Sequence, residues 1–145
     1  VPTDFSGYSD AALKQAADIA EEYDAELHVL HVVEIRIHSL YEYEFAGKSA
    51  SPAGIKSYEA KLKKTAEGRM VEYLGKVASS GKVKVFSRVV KGDAVPEILK
   101  YQKDKGIDLV VISSLGHSGL AEYLIGSVAR NVLKGATCPV LLTKS

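Results

Sequence analysis

The sequence has no tryptophan, one cysteine, one methionine and 4 prolines among 145 residues. A single cysteine, Cys138, excludes an internal disulfide bond. It precedes Pro139 in an apolar stretch, which predicts a small buried residue rather than a catalytic thiol. Low cysteine usage is also typical of proteins kept in a reducing compartment. We therefore expect a cytoplasmic protein.

Neither an excess of charge nor a long apolar segment is present. The 19 basic and 18 acidic residues leave a net charge of +1, which does not favour nucleic acid or an anionic membrane as a partner. No apolar run reaches membrane-spanning length, and the first residues lack the basic segment of a signal peptide. The chain opens on Val1 inside a predicted strand, so we expect natural residues before it. Composition predicts one globular domain over residues 1–145.

Short β-type runs alternate with stretches of helical spacing along the chain. We predict a strand ending at Thr3, strands over 26–33, 83–90, 107–112 and 139–143, and helices over 10–23, 57–79, 93–106 and 126–135. This alternation predicts an α/β fold, with a doubly wound, five-stranded parallel sheet and helices on both faces. Ligands of such sheets bind beyond the carboxyl ends of the strands.

Residues 34–57 interrupt this alternation with aromatic, charged and loop-forming residues. Loops of this length act as lids or binding loops, or are disordered, so we predict a mobile insertion with a lid as its functional alternative. Within it, Gly47-Lys48-Ser49 is similar to a nucleotide P-loop. Glu42 stands where that motif needs a glycine, and Ser51-Pro52 interrupts the helix start that should follow. We therefore exclude a P-loop.

A candidate anion site lies between Leu109 and Lys134. An apolar run is followed by a turn of small residues at 113–119, and Gly126-Ser127 then opens a helix. The first helical amides are unpaired, glycine permits a turn at positive φ and a close ligand approach, and the serine hydroxyl adds a donor. These groups suit a phosphate, although glycine and serine are also ordinary N-cap residues.

Asp4 and His117 each have more than one interpretation, whereas His28 and His31 are considered only as metal ligands. Asp4 follows the first predicted strand, where it can cap the first helix or accept a hydrogen bond from a ribose or base. His28 and His31 lie three apart on a strand and point to opposite faces, so they cannot share a metal. His117 lies in the glycine turn, where it is either an exposed loop residue or a phosphate contact. We predict no metal site in the protein itself.

Over nearly its full length the sequence resembles the universal stress proteins, a Rossmann-like α/β family that often binds ATP. The matching segments are 2–6, 30–34, 113–127 and 139–142. The third resembles the family's nucleotide pattern G-x-x-G-x9-G-(S/T), with Ser113 in place of the first glycine and Leu115 in place of the usual histidine. A requirement for positive φ would strain Ser113, whereas close approach alone would let its hydroxyl crowd or bind the ligand.

The resemblance implies a site for ATP or a related adenine nucleotide, with Mg²⁺ as a possible companion. Asp4 and the backbone at Val32 would hold the adenosine end, Gly116 would pass close to the ribose and phosphates, and the amide of Val128 would bind a phosphate. Gly92 would sit beside the pocket. The implied site residues are Pro2, Thr3, Asp4, Val32, Gly92, Ile112, Ser113, Gly116, Gly126, Ser127 and Val128.

Three functions are compatible with this sequence. The first is a binding module for stress responses that changes its surface for an unknown protein partner when it holds nucleotide. The second is slow ATP hydrolysis, which we disfavour because Asp4, His117 and Arg130 do not form a convincing catalytic set. The third is a nucleotide-free scaffold. The family commonly dimerises through its last strand, so the resemblance predicts a homodimer through residues Pro139, Val140, Leu141, Leu142 and Thr143.

Overall fold

The computed structural model describes residues 1–34, 52–75, 82–116 and 125–144. The elements in chain order are α1 (Gly7–Glu22), β1 (Leu27–Val33), α2 (Pro52–Gly75), β2 (Val85–Lys91), α3 (Ala94–Asp104), β3 (Val110–Ser113), α4 (Ser127–Gly135) and β4 (Val140–Thr143). Within the described ranges, every helix is too short or too polar to cross a membrane.

Helix α1 begins three residues earlier than the sequence predicts, because Ser6 is its N-cap. The Ser6 side chain accepts a hydrogen bond from the Ser9 amide at 3.3 Å, and its backbone is extended, as an N-cap requires. The buried side of the helix carries mainly small residues, which allow it to lie close to the strands: Ser9, Ala12, Leu13, Ala16 and Ala20.

Helix α2 begins at Pro52, so the last residues of the predicted 34–57 insertion are helical. The expectation that Ser51-Pro52 interrupts a helix start is wrong. Proline suits the first helical position because it lacks an amide hydrogen that would be unpaired there. The rest of the predicted insertion, residues 35–51 with the glycine-lysine-serine sequence, lies outside the described residues, as do residues 76–81.

The four strands form two parallel pairs. Strand β1 pairs with β2, from Leu27 opposite Val85 onwards, and β3 pairs with β4. The first residues of the chain lie beside β1, where Pro2 forms an isolated parallel bridge with Leu30. The predicted single sheet of five strands is therefore not present as one continuous ladder in the described residues, because the N-terminal segment forms only a bridge.

Two apolar clusters cover the two faces of the strands. Val29 and Val33 of β1 and Val111 of β3 lie in one cluster with residues of α1 and α2. Leu30 of β1 and Ile112 of β3 lie in the other with residues of α3 and α4. Both strand pairs thus contribute alternate residues to both clusters, as successive side chains of a strand point to opposite faces. The predicted α/β arrangement of parallel strands between helices is confirmed.

Candidate functional site

A cavity of about 720 Å³ lies beyond the carboxyl ends of β1 and β3. Its walls come from the turn before α1, the end of β1, the turn after β3, the first residues of α4 and one side of α2. Every predicted site residue except Gly92 lines this site cavity: Pro2, Thr3, Asp4, Val32, Ile112, Ser113, Gly116, Gly126, Ser127 and Val128. The fold therefore brings four separate sequence segments to one place.

Gly92 follows β2 and is not among the residues that line the site cavity. Its φ of +151° favours glycine, and a Cβ atom there would lie 2.8 Å from Cγ of Glu97. Its amide donates a hydrogen bond to the Val33 carbonyl at 3.2 Å. The backbone of the β2–α3 turn thus accounts for this glycine without a ligand.

Asp4 stabilises the turn before α1 through hydrogen bonds with Ser6, and Ser6 is the residue that caps the helix. Its Oδ1 accepts hydrogen bonds from the Ser6 amide at 3.0 Å and from the Ser6 hydroxyl at 2.5 Å. Phe5, between them, has a φ of +61°, which is uncommon for a residue with a side chain. The turn from Asp4 to Ser6 is therefore held in a specific shape by its own hydrogen bonds.

The other oxygen of Asp4 explains why residue 116 is glycine. A Cβ atom built on Gly116 would lie 2.9 Å from Asp4 Oδ2, closer than such contacts normally occur. Gly116 is not among the residues with positive φ, so glycine provides space beside Asp4 there rather than an unusual backbone conformation. The carboxylate of Asp4 and the turn after β3 are thus in direct contact.

The start of α4 differs in two respects from the prediction. Gly126 has a φ of −55°, so it does not use a positive φ, and its amide donates to the Ser114 carbonyl at 2.7 Å. Gly126 therefore closes the turn and does not offer a free amide. No described side chain caps α4, and its first backbone bond runs from Arg130 to Gly126 at 2.9 Å. The amides of Ser127 and Val128 are consequently without a partner inside the helix.

Ser113 fits its position without backbone strain. It is the last residue of β3 and pairs with Thr143 of β4. The positive φ angles of non-glycine residues in the described ranges belong to Phe5 and Asp24. A serine in place of the motif glycine thus leaves the backbone undisturbed and adds a hydroxyl to the cavity wall.

Sequence reasoning missed the wall of the cavity that α2 provides. The Phe5 ring stacks on His31, with ring centroids 4.2 Å apart, and Cζ of Arg69 lies 4.8 Å from the Phe5 centroid. Tyr73, one turn after Arg69 on α2, meets Phe5 edge to face at 5.4 Å. Strand alternation places His31 on the same face as Val29, which was the available signal for its position.

His31 is held as a neutral imidazole. Its Nδ1 lies 2.7 Å from the Thr3 carbonyl oxygen, which can only accept, so Nδ1 carries the hydrogen and Nε2 is left as an acceptor. Burial lowers the pKa of His31, the nearby Arg69 lowers it further, and the bond to Thr3 opposes both effects. His31 thus joins the end of β1 to the N-terminal segment without adding charge.

Glu34 and Arg69 are charged residues at the wall of the cavity. Glu34 accepts a hydrogen bond from the Ala94 amide at 3.1 Å and so satisfies the first turn of α3. Arg69 makes no ion pair with any described residue. Of the weighed catalytic residues, His117 lies outside the described residues and Arg130 does not line the cavity. In the part of the chain that the structure describes, no three potential metal ligands cluster.

Known proteins that are similar to this chain in sequence and in fold belong to one family. The universal stress protein family matches residues 1–144. Universal stress protein MJ0531 of Methanocaldococcus jannaschii is 34% identical over 144 residues, which are 99% of this chain and 79% of that protein.

Solved structures share the fold. That of MJ0577, from the same organism, has a TM-score of 0.79 and 30% identity and covers 99% of this chain and 92% of its own. A universal stress protein of Archaeoglobus fulgidus in complex with dAMP has a TM-score of 0.59 and 18% identity, covering 99% and 94%. The match over almost the whole chain and the identity to MJ0531 show that this chain belongs to the universal stress protein family.

Proposed function

We propose that the site cavity binds an adenine nucleotide, with ATP as the natural ligand, and that the protein is a nucleotide-dependent binding module. One observation carries this proposal. An acidic side chain, a glycine surface and the uncapped start of a helix, taken from three distant segments, face the same cavity: Asp4, Gly116 and Ser127-Val128.

The phosphates belong at the start of α4. The amides of Ser127 and Val128 have no partner within the helix, and the helix dipole adds partial positive charge at that end. The Ser127 side chain is exposed, so its hydroxyl can donate as well. Gly126 contributes by closing the turn onto Ser114, which aims the following amides.

The adenosine end belongs beside Asp4 and the end of β1. Asp4 Oδ1 accepts from Ser6 and Oδ2 faces Gly116 at the wall of the cavity, so we infer that ribose hydroxyls donate to this carboxylate. Val32 supplies backbone groups at the neighbouring strand end. The dAMP complex of the Archaeoglobus fulgidus relative supports an adenine nucleotide as the class of ligand.

Mg²⁺ enters this proposal as a companion of the phosphates. Magnesium prefers oxygen ligands and is usually bound through phosphates and one or two carboxylates, with water completing its shell. The described residues offer no group of three protein ligands, so the phosphates of ATP would supply most of the coordination. We propose no catalytic role for the metal or for the protein.

Two structural parts of the proposal concern assembly. We infer that residues 1–3 act as the fifth strand of one sheet, between β1 and β3. The bridge from Pro2 to Leu30 and the shared apolar clusters support this.

We infer also a cytoplasmic homodimer through residues 139–143, because Val140, Leu141 and Leu142 of β4 are only half-buried and β4 pairs on one side alone within the described ranges.

We propose that an unknown protein partner distinguishes the nucleotide-bound protein from the free protein. Binding would occupy the donors at the start of α4 and change the charge of the surrounding surface. The role of residues 34–57 as a lid stays a prediction, since residues 35–51 lie outside the described part.

Nucleotide content and affinity test the proposal. The protein is purified without added nucleotide and denatured, and the released small molecules are identified by chromatography and mass. The stripped protein is then titrated calorimetrically with ATP, ADP, AMP and adenosine, with and without Mg²⁺. We expect saturable binding that weakens as phosphates are removed. Absence of both released nucleotide and binding heat at several temperatures would leave the nucleotide-free scaffold as the function.

A further inference from the structure

A buried chain of hydroxyl groups lies behind the turn that carries Asp4. Ser9 of α1 is 1% exposed and Tyr73 of α2 is 3% exposed. Tyr73 donates to Ser9 Oγ at 3.2 Å, Thr3 Oγ1 lies 2.9 Å from the same oxygen, and Ser9 Oγ donates to the Ser6 carbonyl at 2.9 Å. Two hydroxyl groups and one backbone carbonyl thus meet around one serine oxygen.

The direction of every proton in this chain follows from donor capacity. Ser9 Oγ has one hydrogen, and the Ser6 carbonyl takes it because a carbonyl cannot donate. Thr3 must therefore donate to Ser9, and its own oxygen accepts from the Phe5 amide at 3.0 Å. Ser9 Oγ accepts twice and donates once, so its hydrogen-bonding capacity is fully used.

A second branch connects Ser9 to the carboxylate that faces the site cavity. The Ser9 amide donates to Ser6 Oγ at 3.3 Å, and Ser6 Oγ donates to Asp4 Oδ1 at 2.5 Å. Together the two branches hold both ends of the unusual Phe5 backbone conformation, whose φ is +61°. Tyr73 reaches this turn from a different helix, so the location of α2 bears on the shape of the turn.

We propose that Tyr73 and Ser9 are positioning residues for the Asp4 turn. They do not line the site cavity, and they act by fixing Thr3, Phe5 and Asp4 in the shape that accepts the adenosine end of the ligand. The effect on affinity rests on the proposed nucleotide function. The immobilisation of the turn does not, and it has its own measurement.

The variants Tyr73→Phe and Ser9→Ala test this role, and Val89→Ala is the control. Tyr73→Phe removes one hydroxyl and keeps the ring, whereas Ser9→Ala leaves the Thr3 and Tyr73 donors without their acceptor. Val89→Ala removes buried carbon from the same apolar cluster and removes no hydroxyl group. Affinity for ATP and adenosine is measured at a temperature where unfolding curves show all four proteins to be folded. Amide hydrogen exchange of Phe5 is measured without ligand.

We expect Tyr73→Phe to weaken adenosine and ATP binding by the same factor, about 3- to 10-fold for one hydrogen bond. Ser9→Ala weakens both further, Val89→Ala leaves both unchanged, and Phe5 exchange accelerates only in the first two. Wild-type affinities in Tyr73→Phe and Ser9→Ala would overturn the positioning role while the nucleotide function stands.

Absence of any binding by the wild-type protein would overturn the nucleotide function instead. In that case Phe5 exchange decides alone: acceleration in Tyr73→Phe supports the positioning of the turn, and an unchanged rate overturns it. An equal loss of affinity in Val89→Ala would also overturn the inference, because general loosening of the core would then explain the effect.

Discussion

The two ends of the strands each carry a cavity, and the two cavities differ in chemistry far more than in size. The site cavity at the carboxyl ends measures about 720 Å³, and the cavity at the amino ends measures about 570 Å³. The second, which we term the amino-end cavity, is lined by Leu27 and His28 of β1, Tyr101 and Gln102 of α3, and the segment leading into β3.

Three polar side chains of the amino-end cavity, those of His28, Tyr101 and Gln102, are paired within the protein. His28 Nδ1 lies 3.1 Å from the Tyr101 hydroxyl, and Gln102 bonds the Ile107 carbonyl at 3.2 Å and the Thr137 hydroxyl at 3.1 Å. The helix ends at this cavity are carboxyl ends, at Tyr23 and Lys105. Exposed carbonyls and a negative helix end repel anions.

The site cavity has the opposite character because of chain direction. In parallel α/β alternation each helix runs back against the strands, so helix starts gather where strands end. Here the starts of α1 and α3 are satisfied by Ser6 and Glu34, whereas that of α4 has no described cap. The start of α4 therefore distinguishes the two cavities, which cavity volume alone does not.

Filling the space at Gly116 should have the largest effect on this difference. The Cβ of Gly116→Ala would lie 2.9 Å from Asp4 Oδ2, so the carboxylate or the turn after β3 must shift. We expect this shift to lower nucleotide affinity by roughly 30-fold, which corresponds to about 2 kcal/mol. Gly68→Ala is the matched control, because nothing lies within 4 Å of its Cβ position. Calorimetric titration with ATP measures both, and equal affinities for the two variants would contradict the assigned contact.

Removing one amide at the start of α4 should weaken ATP binding by about 10-fold, as expected for a hydrogen bond to a charged group. Ser127→Pro deletes the amide hydrogen at a first helical position, where proline is tolerated, and Gly126 already has the extended ψ of 151° that a residue before proline adopts. Ser127→Ala controls for the hydroxyl. Adenosine affinity should stay constant, and a parallel loss of adenosine binding would instead indicate a distorted cavity.

Lowering the pH should reduce the stability of the folded protein through protonation of His31, which lies at the α2 side of the site cavity. Its folded-state pKa is lowered by burial, so the unfolded chain takes up the proton first as pH falls below the ordinary value of 6.5. The free energy of unfolding should therefore decrease as pH falls from about 6.5 towards the folded-state pKa. Arg69 and Asp4 are the charged groups that act on His31, with opposite signs.

The control for this acid effect is His31→Asn, which keeps a donor near the Thr3 carbonyl but does not titrate. Urea unfolding at about pH 7.5 and about pH 5 measures the difference between the two proteins. An equal loss of stability in His31→Asn would assign the acid sensitivity to other groups.

The smallest expected effect concerns the amino-end cavity. Tyr101→Phe breaks the bond to His28 and should cost about 1 kcal/mol of stability without any change in ATP affinity. Chemical unfolding and calorimetric titration on the same preparation measure the two quantities. A fall in ATP affinity would show instead that the two ends of the strands are coupled.

The order of the elements and most of the cavity wall were predictable from sequence patterns. Apolar periodicity indicates β1 and α1, and glycine and serine next to strand ends indicate the turns. The α2 wall was not predictable in this way. Arg69 meets Phe5 only because α2 packs on the strand face that His31 shares, and the α2 sequence does not specify that contact.

The backbone conformations of the motif residues also became known only from the structure. The pattern suggested positive φ at the motif glycines, but Gly126 has φ of −55° and Gly116 is required by the bulk of Asp4. Ser113 was a source of possible strain only if it lay in a turn, and it lies in β3. Spacing indicates where small residues are needed, whereas the neighbour that requires them is a matter of tertiary contact.

From the amino-acid sequence we could predict the alternation of strands and helices, the end of the strands at which helix starts gather, and the family resemblance. These follow from local periodicity and the direction of the chain, which need no distant contact. Three contacts became known only from the tertiary structure. Asp4 lies against Gly116, the Gly126 amide donates to the Ser114 carbonyl, and the Tyr73 hydroxyl donates to Ser9 Oγ. Each of these joins residues far apart in the chain or fixes a backbone geometry, and only the packing of α1, α2 and the strand ends brings such partners within hydrogen-bonding distance.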